Sequence, residues 1–317
     1  MRGMHWASVA VVALLLGAGG LLSRPALATN PWGVDYFPNV PLLTQDGTTV
    51  HFYDDLLKGK AVAINLIYTS CKDECPLETA RLVQVQRLLG DRIGKDLFFY
   101  SISIDPKRDT PAVLKAYAEK FGVGPGWLFL TGQEDDIKLI AKKLGLSRSN
   151  DTANRDGHMP ILMLGNEPTG QWMRNSAVDN PRFLATTISS FLGWRNQQPG
   201  RSYAELTQPP KIDAGTYLFQ SRCAACHTIG KGDAVGPDLA GVTSRRDRDW
   251  LVRYLKAPDQ MLAEKDPIAV ALLAQYKNIT MPNLHLSDGE IATVLAYLEA
   301  HNATIQTTER HKDLPAQ

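Results

Sequence analysis

The residues of this chain most suited to chemistry are its cysteines, of which the 317-residue sequence has only four. They form two close pairs, Cys71 with Cys75 and Cys223 with Cys226. Neither pair is spaced to join distant parts of a fold by a disulfide bond. We therefore expect both pairs to bind a metal or cofactor, or to carry out redox chemistry.

The second pair is followed at once by a histidine, in the sequence Cys-Ala-Ala-Cys-His at 223–227. In this C-x-x-C-H spacing the two thiols add to the vinyl groups of a haem, and the histidine becomes an axial iron ligand. The motif predicts one covalently attached haem c on Cys223, Cys226 and His227. A redox dithiol that happens to precede a histidine is the alternative.

A second axial ligand of the iron is expected in a loop further along the chain. Met281 lies in the sequence Thr-Met-Pro-Asn-Leu, just before the last predicted helix. We predict Met281 as the second ligand, and Met261 and His285 are the alternatives. Ligation by histidine and methionine raises the reduction potential of a haem and leaves no open position for a substrate, so it favours electron transfer.

The first pair follows a buried strand and opens a predicted helix, with Pro76 directly after Cys75. A helix N-terminus stabilises a thiolate through its exposed N–H groups and its dipole. Thiolates are preferred ligands of Cu(I) and zinc. Three residues separate Cys71 from Cys75, whereas two separate the cysteines of thioredoxin-type disulfide-exchange motifs.

Elements of two kinds must position these groups. The first part of the chain has predicted strands at 61–68, 97–104, 126–130, 161–164 and 171–174. They alternate with predicted helices at 77–89, from Thr110–Pro111, at 134–144 and at 181–192. This alternation predicts an α/β sheet with helices on both faces. Later residues show only helical patterns, at 213–222, 248–256, 267–276 and 287–301.

These patterns predict a five-part organisation. The segments are a signal peptide at 1–28, an α/β domain at 29–197, a linker at 198–212, an all-α domain at 213–303 and a tail at 304–317. An apolar run followed by Ala-Leu-Ala at 26–28 favours export to the periplasm, and an uncleaved inner-membrane anchor is the alternative. The net charge of +1 gives no indication of nucleic-acid binding.

Three ordered motifs, at 36–39, 71–76 and 105–111, resemble those of the Sco/SenC family of copper-handling proteins. The resemblance covers roughly residues 35–194 and implies a thioredoxin-like fold. It also implies copper binding by Cys71, Cys75 and His158, although Gly157 stands where the family usually has an aspartate. It further leads us to expect a cis peptide bond before Pro160.

The all-α part resembles the class I cytochrome c domain. Gly215 and Phe219 lie on the helix before the haem motif, and Tyr297 lies on the last helix. In that family the first and last helices cross at a glycine and an aromatic pair. The segment Gly-Pro-Asp-Leu at 236–239 is similar to the loop that follows the family's haem motif.

By resemblance, Sco proteins assist assembly of the CuA centre of cytochrome c oxidase, by delivering copper or by keeping the target cysteines reduced. The oxidase subunit that carries CuA is the expected partner, with other periplasmic cytochromes and copper donors as further candidates. Copper and haem iron each change by one electron, which favours electron exchange between them over exchange between the haem and a two-electron dithiol. A metallochaperone is thus favoured over a turnover enzyme. A haem-coupled thiol–disulfide oxidoreductase and an electron-transfer protein with a docking thioredoxin-like domain are the alternatives.

Overall fold

A computed structural model describes residues 31–71, 74–146, 159–194 and 213–312, with side chains as far as residue 302. The first three ranges build a seven-stranded mixed sheet with the strand order β2-β1-β5-β4-β3-β6-β7. Its strands are β1 Pro41–Thr44, β2 Thr49–His51, β3 Ala61–Ile67, β4 Phe98–Ser103, β5 Trp127–Gly132, β6 Ile161–Asn166 and β7 Gln171–Ser176. Strands β3, β4 and β5 are parallel, while β1, β2, β6 and β7 each pair antiparallel with their neighbours.

Four helices cover this sheet: α1 Glu74–Leu89, α2 Pro111–Phe121, α3 Glu134–Lys143 and α4 Pro181–Phe191, among the described residues. Strand β3 is buried on both faces, so that Ala63 belongs to the core beneath α1, α2 and α4, while Ile64 belongs to the opposite core. Thr110 caps α2 by accepting a hydrogen bond from the Val113 amide at 3.4 Å. The architecture confirms the predicted α/β domain.

The structure from residue 213 onward is helical, within the part of the chain that it describes. The elements are α5 Ala214–Leu218, α6 Val242–Arg245, α7 Arg248–Lys256, α8 Pro258–Ala263, α9 Pro267–Gln275 and α10 Asp288–Lys312. The predicted capping box is present, because Ser287 N–H donates to Glu290 and Glu290 N–H donates to the Ser287 hydroxyl. An all-α domain thus follows the α/β domain, as predicted.

Two differences from the predicted elements have local causes. The helix expected at 213–222 is regular only to Leu218 and continues as a π-helical turn at Phe219–Cys223, where Ala224 N–H donates to the Phe219 carbonyl. Helices α6 and α8 span four and six residues, which is too short for hydrophobic periodicity to reveal them.

The described residues from 31 onward belong to one compact unit, in which the sheet domain and the helical domain contact each other directly. The predicted signal peptide at 1–28 and the linker at 198–212 lie outside the described residues. Of the helices that the structure does describe, none combines the length and the apolar character that crossing a bilayer requires.

Candidate functional site

Cys223 and Cys226 lie where the first helix of the all-α domain ends. Cys223 is the last residue of the π-helical turn and is buried, and Cys226 follows in a half-buried position. Burial raises the pKa of each thiol to about 12. Neither is in a disulfide bond, so both sulfurs are available for thioether bonds.

His227 is held in the orientation that an iron ligand needs. Its Nδ1 donates a hydrogen bond to the Pro237 carbonyl at 2.8 Å, which fixes the tautomer and leaves the Nε2 lone pair for a metal. Burial lowers the pKa of the imidazole, so the ring is neutral. Gly236 lies against the ring, and a Cβ added there would come within 2.7 Å of the His227 Cε1 atom.

An apolar cavity opens beside this histidine. It contains about 800 Å³ of empty space, a figure that includes space open to solvent. Its walls include His227, Val235, Tyr254, Leu272, Ile279 and Met281. Met261 is buried elsewhere and His285 is exposed, and neither lines the cavity. Of the three candidates for the second axial ligand, the structure therefore places only Met281 in the cavity wall.

Helices α5 and α10 of the same domain approach each other closely at Gly215. A Cβ added to Gly215 would lie 2.6 Å from the Tyr297 Cβ, so only glycine allows this separation of α5 and α10. The rings of Phe219 and Tyr297 pack at a centroid distance of 5.5 Å. The paired thiols, the oriented imidazole, the methionine and the apolar walls together fit a haem.

Cys71 and Cys75 lie at the other candidate centre, between the C-terminal end of β3 and the first turn of α1. Cys75 is fully buried, Cys71 is partly exposed, and neither is in a disulfide bond. The Cys75 amide donates to the Cys71 sulfur at 3.4 Å. A hydrogen bond with Cys71, with burial second, raises the pKa of the Cys75 thiol. This pair of adjacent sulfurs is suited to a soft metal ion or to a disulfide.

A buried carboxylate holds the loop that leads to these thiols. Asp109 accepts hydrogen bonds from the Thr69 amide at 3.0 Å, from the Thr69 hydroxyl and from the Ser103 hydroxyl at 2.6 Å. Asp109 is fully buried. The motif at 105–111 therefore acts as a support that fixes the segment before Cys71.

A second buried carboxyl group lies one turn beyond Cys75. Glu78 accepts a hydrogen bond from the Asn65 amide at 2.8 Å, and Asn65 in turn accepts one from Ser101 at 2.7 Å. Burial raises the pKa of Glu78 well above its ordinary value. A polar chain thus runs through the core beneath the thiols.

The predicted third copper ligand, His158, lies outside the described residues. The chain resumes at Met159, and β6 pairs with β3 so that Ile64 is opposite Met163. This register brings the start of β6 to the end of β3 from which Cys71 follows. The Met159–Pro160 bond is trans, so the expected cis bond is wrong. No three metal-binding side chains cluster together among the residues that the structure places.

The two candidate centres share a wall. Pro76 and Leu77, which directly follow Cys75, line the apolar cavity together with Cys226 and His227. Cys226 also packs against the core beneath α1. One segment of α1 therefore contacts the thiol pair at one end and the cavity at the other.

Several residues of the site lack a local sequence signal. Asp109 falls in a motif that sequence reasoning identified, although its role as an acceptor for Thr69 did not follow from the motif. Glu78, Arg81 and Gln84 are polar residues on a predicted helix, a pattern typical of a solvent-exposed face. Glu78 and Arg81 are buried and Gln84 is half-buried, and tertiary contacts alone account for this.

Comparison with known proteins identifies both parts of the chain. A family model described as SCO1/SenC matches residues 38–175, and one described as Cytochrome c matches residues 212–302. The SCO2-like protein of Rickettsia felis is 30% identical over 190 residues, which is 54% of this chain and 89% of that protein. These matches confirm the two resemblances.

Solved structures match each part separately. Yeast Sco1 with copper bound is 26% identical, with a TM-score of 0.40, over 52% of this chain and 98% of that chain. The cytochrome c domain of the pp3183 protein from Pseudomonas putida is 47% identical, with a TM-score of 0.29, over 32% of this chain and 99% of that chain.

Proposed function

Since the chain belongs to the SCO1/SenC family and continues into a cytochrome c domain, we propose that it is an exported copper-binding redox protein that assists assembly of the CuA centre of cytochrome c oxidase. A covalently attached haem c exchanges electrons with the copper/dithiol site. The observation that carries this proposal is the shared wall, in which the neighbours of Cys75 line the cavity beside His227.

Copper is the cargo of the thiol site. Cys71 and Cys75 supply two soft sulfur ligands, and His158 supplies an imidazole. Two thiolates and one imidazole suit Cu(I), and an added ligand allows the site to hold Cu(II). The partial exposure of Cys71 gives a donor or a recipient protein access to the metal from that side.

Cys223 and Cys226 would hold the haem, and His227 and Met281 would bind its iron. When bound, the haem supplies one-electron transfer at a high reduction potential. The Pro237 carbonyl keeps the His227 ring oriented, and the leucine and tyrosine side chains of the cavity give the ring apolar surroundings. Pro76 and Leu77 close the wall toward the thiols, so that an electron crosses packed protein instead of solvent.

The place of action follows from the same hypothesis. We propose that residues 1–28 direct the chain to the periplasm, with an uncleaved anchor as the alternative. The partner is the oxidase subunit that carries CuA, and other periplasmic cytochromes or copper donors exchange electrons or metal with the chain.

Stopped-flow mixing tests the exchange. Ferrous full-length protein is mixed with one equivalent of Cu(II), and the oxidation of the haem is followed by absorbance. The single electron that leaves the iron reduces Cu(II) to Cu(I), so one equivalent of copper should oxidise one equivalent of haem. Once copper is bound, the rate should not depend on protein concentration, since the transfer is intramolecular.

A Cys71→Ser variant should lose the fast phase, while Ser70→Ala, its neighbour on the same loop, should retain it. Haem oxidation in the wild-type protein that is no faster than in Cys71→Ser would refute the proposed exchange.

The contact between the two thiols supports a second candidate, a thiol–disulfide oxidoreductase coupled to the haem. Cys71 and Cys75 are close enough to share a hydrogen bond, so they can form a disulfide. The oxidation releases two electrons and two protons, and a haem held by Cys223, Cys226 and His227 would carry the electrons one at a time to an external one-electron acceptor. Protein that has no affinity for Cu(I) and yet reduces a disulfide substrate or oxidises a dithiol substrate would favour this candidate.

A further inference from the structure

One face of α1 is directed at the cytochrome c domain. Leu77, Arg81 and Gln84 are spaced as i, i+4 and i+7, so they lie on one side of the helix. Leu77 lines the haem cavity. The Arg81 guanidinium donates to the Val178 carbonyl of its own domain and to a carbonyl of the cytochrome domain, and Gln84 donates to a second one.

The carbonyls that these two side chains reach belong to Ser221 and Ala224, at the end of the first cytochrome helix. The last carbonyls of a helix have no partner within the helix and carry its negative partial charge. A cation is therefore favoured at this position. Arg81 and Gln84 provide, from another domain, the C-terminal cap of the helix that carries Cys223.

Arg81 is an unusual capping residue, because its charged side chain is buried, with the residue only 5% exposed. No carboxylate in the described ranges lies within ion-pair distance of its guanidinium, and its Nε is buried without a hydrogen-bond partner there. Burial lowers the pKa of the guanidinium, yet arginine keeps its charge in proteins. The bond to Ser221, two residues before Cys223, places this charge beside the end of the helix that carries the first haem-binding cysteine.

We propose that Arg81 fastens the cytochrome c domain to the thiol-bearing helix and raises the reduction potential of the haem. Reduction makes the haem one charge less positive, so a buried positive charge beside its attachment stabilises the ferrous form. Coupling between two equilibria is reciprocal, so reduction of the haem in turn tightens the contact between the domains. This inference rests on the haem of the proposed function, but it does not depend on copper.

Redox titration of the copper-free, haem-loaded full chain tests the proposal. In Arg81→Gln, which keeps hydrogen-bond donors and loses the charge, the equilibrium should shift about tenfold toward the ferric form, equivalent to 59 mV for one electron. Arg81→Lys keeps the positive charge, so its equilibrium should lie close to that of the wild-type protein. Arg87→Gln removes a charge from an exposed position of the same helix and should leave the equilibrium unchanged.

Gln84→Ala separates the charge from the hydrogen bond, because it weakens the same cap and leaves Arg81 in place. It should shift the equilibrium less than Arg81→Gln does. An unchanged equilibrium in Arg81→Gln, or an equal shift in Arg87→Gln, overturns the proposal.

Hydrogen exchange of the wild-type protein gives a second test that needs no variant. Amides of α1 and of residues 219–224 should exchange several-fold more slowly in the ferrous protein than in the ferric protein. Equal exchange in the two states also overturns the proposal. Because copper is absent throughout, these outcomes are distinct from those of the stopped-flow experiment.

Discussion

Replacing Gly215 by alanine should destabilise the cytochrome c domain, although alanine is the better helix former. The added Cβ would lie 2.6 Å from the Tyr297 Cβ and 3.1 Å from its Cγ. The Tyr297 Cβ is fixed to the backbone of α10 and cannot rotate away, so the two helices must separate. Overpacking of this kind costs up to about 3 kcal/mol, and the helix propensity of alanine recovers about 1 kcal/mol. The expected net loss is about 2 kcal/mol.

Thermal unfolding of the haem-loaded chain, followed by haem absorbance, measures this loss. For a domain of this size, 2 kcal/mol corresponds to a decrease of roughly 8 to 16 °C in Tm. Gly289→Ala is the matched control, since Gly289 lies on α10 and an added Cβ meets nothing within 4 Å. The control should raise Tm slightly. A Gly215→Ala variant that melts at or above the wild-type temperature would show that the close helix contact is not what requires glycine.

Three further changes test the supports of the two centres. Asp109→Asn should lower the free energy of unfolding in urea by about 2 kcal/mol, because it weakens the buried acceptor of the two Thr69 hydrogen bonds. The variant should also bind Cu(I) less tightly in a competition titration. An unchanged affinity would contradict the role of Asp109 in holding the loop. Burial raises the pKa of Glu78 above its ordinary value of 4.5, so the stability that its protonated form contributes is complete below pH 4.5 and is lost as pH rises through the folded-state pKa. Copper-free Glu78→Gln should lack this loss in denaturant unfolding, and equal pH dependence in the two proteins would refute the assignment. Met281→Ala should open the iron to added imidazole, seen as a change in the haem spectrum, whereas His285→Ala should behave as wild type.

Local sequence patterns predicted most of the fold and the places of both cysteine pairs. Strands β3 and β4 are short runs that consist mostly of apolar residues. The C-x-x-C-H motif at 223–227 is likewise contiguous in the sequence. Met281 was predicted from its place before the last helix, a further local feature. Such signals depend on neighbouring residues only, so they can be recognised without knowledge of tertiary contacts.

The contact between the domains was not predictable in this way. Arg81 and Gln84 have the polar character of a solvent-exposed helix face, and their partners Ser221 and Ala224 contribute only backbone carbonyls. A carbonyl is present at every residue, so nothing in the sequence marks those two. The cis bond expected at Pro160 failed for a related reason, since the resemblance to a fold family does not fix the isomer of one peptide bond.

The different exposure of the two thiols separates the two transfers that the proposed function requires. Cys75 is fully buried and precedes the residues that line the haem cavity, whereas Cys71 is partly exposed on the loop held by Asp109. A partner that takes copper must therefore approach from the Cys71 side, while an electron reaches the haem from the Cys75 side. Because these directions differ, docking of a partner does not require the cytochrome c domain to leave α1. A Cys75→Ser variant should accordingly slow haem oxidation by copper more than a substitution at the half-buried Ser70 does, and equal rates in the two variants would contradict this division.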